Sequence, residues 1–263
     1  MKHFTKLIFL LLAICLFTAC KKEETKAPAK TYLLKKRTYN DASSSWGMEY
    51  TFDENNKVAT YTYFSVTNPS ATYTITYRRD VNGGVTRYDY TYTNGTTGYG
   101  TYQYNAAGQI AREDTYISAA GVPSYYYIYT YNAGSYELAS YNGSGALQGK
   151  NVYFYTADKK NIANKKNYNS SNVLTSEVTY TYTDKPNVLN SYPESEIQKN
   201  YSGFVSQNAV ATQNTSFPNG STPNSSTYTY TTNADGYIVT SKSVYTSGTS
   251  TSTTNGTMEY IVK

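Results

Sequence analysis

The sequence predicts an all-β protein, an antiparallel meander of about sixteen strands forming a strongly curved sheet or barrel-like shell. Three observations predict it. From Thr31 onward apolar and polar residues alternate with a period of two, and no window carries a convincing helical period. Tyr, Thr, Val and Ile, which suit a pleated and half-buried surface, fill the alternating runs; 33 residues are Tyr. Asn, Gly, Asp or Pro bound these runs roughly every dozen residues, as tight turns require. The unit that states this most compactly is Tyr102-Gln103-Tyr104-Asn105-Ala106-Ala107-Gly108-Gln109-Ile110.

The chain begins differently. Lys2 and Lys6 precede an apolar run from Leu7 to Phe17, too short to span a membrane and suited to a signal-peptide core. Phe17-Thr18-Ala19-Cys20 resembles a bacterial lipobox, which implies cleavage before Cys20 and a lipid on that residue. We therefore assign 1–19 as a lipoprotein signal peptide, 20–30 as lipidated Cys20 with its tether, and 31–263 as a single Tyr-rich β-meander domain. Lys21-Lys22-Glu23-Glu24 looks like a surface-export signal, so the expected location is the outer membrane, lipid-anchored and surface-displayed rather than periplasmic.

The strands follow in order. After the alternation of Tyr32 to Arg37 comes a first copy of the unit at Tyr50 to Val58. Tyr61 and Tyr63, then Tyr73, Ile75 and Tyr77, mark one face on either side of the Asn68-Pro69-Ser70 turn. Asp80 to Gly84 turns into Tyr88, Tyr90 and Tyr92, and Asn94-Gly95 is the dipeptide of a type I′ hairpin. Further copies run through Tyr129 to Gly134, Tyr153 to Asp158, Val178 to Tyr182 and Tyr228 to Ile238. Asp184 to Pro193 loses the alternation and reads as a long connection. Asn214 to Ser226 and Thr246 to Asn255 read as exposed hairpin loops. Alternation places tyrosines on the concave face and Thr, Ser, Asn or Arg on the other.

Residue counting narrows the chemistry. The cysteines are Cys15 and Cys20 and the one His is His3, so the mature domain has no disulfide, His or free thiol. That excludes Ser-His and Cys-His catalysis, and zinc or haem sites built on those residues. Carboxylate pairs remain, at Glu194 with Glu196 and at Glu113 with Asp114, but acids at turns or beside Lys and Arg are ordinary solvated charges. Asp80-Val81-Asn82-Gly83 and Asn233-Ala234-Asp235-Gly236 have calcium-loop composition without the full ligand set, and hairpin turns account for them. The expectation is a non-enzyme with no catalytic residue, no metal and no cofactor. The formal net charge is +5 and falls by two when Lys2 and Lys6 leave, too mild to argue for nucleic acid.

Aromatic faces can stack on sugars or extended chains. The densest patch is Tyr125-Tyr126-Tyr127-Ile128-Tyr129, so Tyr125, Tyr127 and Tyr129, with the lone Trp46, are the candidate ligand contacts for a glycan or surface-protein partner. Trp46 is alternatively expected to close the first sheet edge. A barrel through the bilayer is disfavoured, because Thr and Ser occupy outward positions and would lack water in hydrocarbon.

Tyr102-x-Tyr104-Asn105-x-x-Gly108-x-Ile110 is similar to the tyrosine-aspartate repeats of Rhs-type and teneurin-type shells, with Asn105 standing where that repeat carries Asp. Together with the lipobox, Tyr228-Thr229-Tyr230 leading to Asp235-Gly236-Tyr237, and Tyr180-x-Tyr182 leading to Asp184-Lys185-Pro186-Asn187, the chain more closely resembles a family of Bacteroidota lipoproteins of unknown function with a porin-like fold. The resemblance covers about 49–240 and implies fold and location, with no catalytic residue to carry over.

Overall fold

A computed structural model of the chain describes residues 30–117, 121–187 and 206–263. Cys20 and the rest of the leader, the Glu194 and Glu196 pair, and residues 188–193 of the expected connection lie outside the described residues. Contact clustering separates two units. One is the body Leu33–Ile261; the other includes the chain ends, where Thr31 and Lys263 exchange two backbone hydrogen bonds of 3.0 Å.

The body is a closed antiparallel meander of sixteen strands. In chain order they are β1 (Tyr32–Asn40), β2 (Ser45–Phe52), β3 (Val58–Ser65), β4 (Tyr73–Arg79), β5 (Val85–Tyr92), β6 (Thr97–Tyr104), β7 (Ile110–Tyr116) and β8 (Tyr125–Tyr131). They continue as β9 (Ser135–Asn142), β10 (Leu147–Tyr155), β11 (Ile162–Asn169), β12 (Leu174–Pro186), β13 (Asn208–Ser216), β14 (Asn224–Thr232), β15 (Ile238–Ser247) and β16 (Ser250–Val262). Each strand pairs with its neighbours in sequence and β16 returns to β1, so no edge is left to pair with another chain. Thr38 and Thr257, whose hydroxyls lie 2.5 Å apart, mark the closing seam.

Turns that follow even-numbered strands form one rim, the lower rim, and turns after odd-numbered strands form the upper rim. Six turns share one device. Asp53, Asp80, Asn105, Asn142, Asn169 and Asn233 each accept, on a side-chain oxygen, the backbone N–H groups two and four residues on. Three residues on, the chain goes left-handed, at Asn56, Gly83, Gly108, Gly145, Asn172 and Gly236. Asp and Asn serve equally because the job needs one acceptor oxygen. This explains Asn105 in place of Asp and makes Asp80 and Asn233 turn acceptors. Asn94-Gly95 is not the expected type I′ turn. Gly95 alone of the two has positive φ (85°), and the Asn94 side chain accepts the N–H of Thr96.

The aliphatic residue that restarts the pattern after five of the lower-rim turns is the structural anchor. Val58, Val85, Ile110, Ile162 and Ile238 all face inward with at most 3% of their surface exposed. A tyrosine one repeat later reaches back to each such layer. The phenols of Tyr104, Tyr131, Tyr182 and Tyr260 donate to the carbonyls of Val85, Ile110, Ile162 and Ile238 at 2.6, 3.0, 2.7 and 2.7 Å. Tyr230 does the same to Val210, and Arg79 takes the tyrosine's place at Val58. These carbonyls lie at turns or bulges where the strand ladder shifts register, so a side-chain donor covers what the ladder leaves.

Around that layer sit two apolar clusters. One joins Leu34, Tyr50, Val58, Tyr61, Ile238 and Met258; the other joins Val85, Ile110, Tyr129, Tyr136, Tyr153 and Ile162. Tyr136 and Tyr153 are fully buried and stack at 4.5 Å with ring planes 5° apart.

The expected loops need correction. Asn214 to Ser226 holds an exposed connection only at 217–223, between the end of β13 and the start of β14, and Thr246 to Asn255 is β15 and β16 joined through Gly248 and Thr249. β12 likewise runs on through Asp184 to Pro186, paired with Asn208. Ser, Thr and Asn occur there because both sheet faces are polar, for a reason given below. The face rule also fails on β6 to β9. Tyr99 stacks on Tyr116 at 4.4 Å and Tyr126 on Tyr141 at 4.9 Å on the outer face, capped by Arg87 and Arg112.

Candidate functional site

Near the upper rim the interior carries a continuous arc of rings. Tyr39 stacks on Trp46 at 4.4 Å, Trp46 meets Tyr63 at 6.1 Å, Tyr63 stacks on Tyr73 at 5.3 Å, and Tyr73 and Tyr92 meet at 5.2 Å. Trp46 therefore stands inside, between β1 and β3, and does not cap an edge; the closed sheet has none. Tyr125, Tyr127 and Tyr129 form an inward column down β8. Tyr125 is 37% exposed, Tyr127 is half-buried and meets it edge-on at 5.8 Å, and Tyr129 is buried. The three predicted tyrosines thus share one face, while Trp46 lies in the arc on β2. Tyr126 points the other way.

Below the column is a buried carboxyl. Glu113 accepts hydrogen bonds from Tyr88 and Tyr129, each 3.1 Å long. Burial pushes its carboxyl up to about 7, against the pull of those two donors. Burial and the facing Glu113 hold the Tyr88 and Tyr129 phenols well above their ordinary value, so they remain protonated donors. Tyr88 reaches Glu113 by crossing β6 over Gly100, where a Cβ would collide with its ring. Adjacent residues of a strand face opposite ways, so Asp114 lies outside, bound by Arg112 at 2.7 Å. Glu113 and Asp114 cannot act on one substrate atom. Among the described residues no group of three or more His, Cys, Asp or Glu is placed to hold a metal.

The other half of the interior, lined by β12 to β16, is not filled. It holds a cavity of about 240 Å³. Tyr39, Tyr180, Tyr228 and Tyr230 supply aromatic wall, and Ile238, Met258 and Ala209 supply apolar surface from the core cluster. Asn187, Gln213, Ser241, Ser243 and Thr254 supply neutral polar groups, and among the described residues no charged side chain lines the space. Gly256 is needed beneath Tyr39, whose ring comes within 3.0 Å of where a Cβ would stand. The inward Ser and Thr of these strands line this cavity and the outward ones face water, which is why the segment reads as loop. That signal is present in the sequence: Tyr228 and Tyr230 on one strand and Ser241 and Ser243 on the next keep the alternation.

The outer face carries hydroxyl pairs and charges. Thr51 meets Thr60, Thr62 meets Thr74, Thr181 meets Thr212 and Thr231 meets Thr240, at 2.6 to 2.9 Å. Arg78 and Arg87 both bind Asp89 at 2.6 Å, and Lys150 binds Glu137 at 3.1 Å.

No protein-family profile matches the sequence, and no curated protein matches it. Solved structures do. A porin-like protein from Bacteroides uniformis is 14% identical with TM-score 0.58, covering 86% of this chain and 98% of that one. A porin-like protein from Bacteroides vulgatus is 11% identical with TM-score 0.56, covering 88% and 99%. Both likenesses concern the fold, and the porin-like expectation holds at that level. A chain of the Photorhabdus luminescens Tc holotoxin pore matches over 83% of this chain and 9% of that one, at TM-score 0.29, which carries no argument.

Proposed function

We propose that this protein is a non-enzymatic β-barrel tethered to the outer membrane by lipid on Cys20, with its body in water and displayed at the cell surface, where it serves an interaction role. The observation that carries this reading is the outer face. A membrane-spanning barrel turns a tall apolar band toward lipid, flanked by aromatic girdles. Here the corresponding positions hold Thr51, Thr60, Thr231, Thr240 and the ion pairs of Asp89 and Glu137. Placing Arg or Lys at mid-bilayer costs about 2–4 kcal/mol each, and these strands carry Arg78, Arg87 and Lys150 outward. The lipid on Cys20 would then hold the protein at a membrane that its strands do not enter.

The test is fractionation of the full chain expressed with its own leader. Native protein is expected in the membrane fraction and C20S in the soluble fraction. An antibody against the body should label intact cells. Retention of C20S in membranes after alkaline carbonate washing would overturn the anchor and point to insertion by the barrel itself. Labelling confined to permeabilised cells would move the protein to the inner leaflet.

A further inference from the structure

We propose that the cavity between β12 and β16 is a binding site for one neutral saccharide ring. It differs from the patch the sequence singled out at Tyr125 to Tyr129, and it stands on geometry independent of where the protein is anchored.

A saccharide ring needs two kinds of wall. Its C–H faces pack on aromatic rings, and its hydroxyls each need a donor or an acceptor, since leaving one buried and unpaired costs about 1–3 kcal/mol. The cavity offers both. Tyr228 and Tyr230, two apart on β14, project to the same side and present ring surface. Facing them on β15, Ser241 pairs with Tyr230 and Ser243 with Tyr228 in the strand register. Gln213 stands on β13 and Thr254 on β16. The side chains of Gln213, Tyr228, Ser241, Ser243 and Thr254 form no hydrogen bond with any described residue, so their donors and acceptors are available to a guest. In a barrel whose phenols elsewhere, and at Tyr230, bind carbonyls or a carboxylate, this group is conspicuous for having unspent polar atoms.

Three further observations choose the ligand class. Among the described residues no charged side chain lines the cavity, which disfavours phosphates, uronic acids and nucleotides, each of which would bury a charge without a partner. The closed strand order removes the β-strand-addition mode by which an extended peptide docks. The volume, about 240 Å³, has room for one small ring. Binding would also dry Tyr39, which connects the cavity to the upper arc through Trp46.

The experiment uses the full-length lipoprotein in a detergent without a sugar headgroup. Saturation-transfer NMR and intrinsic tyrosine fluorescence are recorded against hexoses, N-acetylhexosamines, their short oligomers and the matching uronic acids. The expected result is millimolar or tighter binding of at least one neutral sugar, with no binding of its uronic acid. S243F, which fills the cavity, should weaken that binding at least tenfold, and outward T229A should leave it unchanged. If S243F does not fold, Q213L removes a polar partner at similar volume and should weaken binding about three- to tenfold while the thermal midpoint stays put. Failure of every neutral sugar at 50 mM would overturn the proposal, as would equal binding by S243F or by the uronic acid.

Discussion

Replacing Glu113 with Gln tests whether the barrel interior is as dry and closed as its geometry implies. The carboxyl is buried and receives phenol hydrogen bonds from Tyr88 and Tyr129. Its protonation value rises from 4.5 to about 7, chiefly through burial. A raised value means that the folded state holds a proton the unfolded chain has already lost. Between about pH 4.5 and 7 unfolding therefore releases a proton, and stability falls as pH rises through that window. A move from 4.5 to about 7 corresponds to about 3 kcal/mol, all of it lost by about pH 8. Other resolved carboxyl shifts do not fall in this window: Asp41 is held down at about 2 by hydrogen bonds from Ser43 and Ser44, and Asp89 and Asp158 are held below their usual value. E113Q keeps the shape and one acceptor oxygen but cannot ionise. Urea melts at pH 5, 6.5 and 8 should show wild type losing about 2–3 kcal/mol across the range beyond whatever slope E113Q retains. E113Q should be the more stable of the two at pH 8 by about 1–3 kcal/mol. Parallel pH profiles for the two proteins would refute the argument and mean that water reaches Glu113.

Three further substitutions address the repeat. Y131F removes the donor to the Ile110 carbonyl and should cost about 1–3 kcal/mol in urea melts, with the fold retained by circular dichroism. N105A strips two backbone N–H groups of their acceptor and should cost about 1–2 kcal/mol, whereas N105D should be near neutral because one carboxylate oxygen does the same work. Y136A opens a void beside Tyr153 in the fully buried stack; a loss of about 3–5 kcal/mol is expected from thermal or chemical melts, and a loss under 1 kcal/mol would mean the cluster collapses to fill it.

The repeated turn was legible because its chemistry is local. An Asx acceptor followed three residues on by Gly or Asn specifies a backbone path with no help from the rest of the chain. Strand existence was legible for the same reason, from Tyr32 to Tyr260. Two local readings failed where the environment differed from the usual one. Asn214 to Ser226 and Thr246 to Asn255 read as loops because Ser, Thr and Asn fill both faces of the strand ends there. Alternation predicts a single tyrosine face, but on β6 and β8 aromatic residues occupy both parities, and Arg87 and Arg112 stabilise the outer pairs Tyr99–Tyr116 and Tyr126–Tyr141.

The sequence by itself determined an all-β meander, most turn positions, and a stretch from Thr31 onward without His or Cys, since each follows from residue identity and spacing along the chain. Tertiary structure alone decided that β16 meets β1, that Glu113 faces phenols while Asp114 faces Arg112, and that β12 to β16 leave a cavity inside. These depend on which side chains converge across strands far apart in sequence, as Tyr39 with Gly256 and Tyr88 with Glu113 do. Period-two alternation states which face a residue takes; the curvature of the closed sheet decides what it meets there.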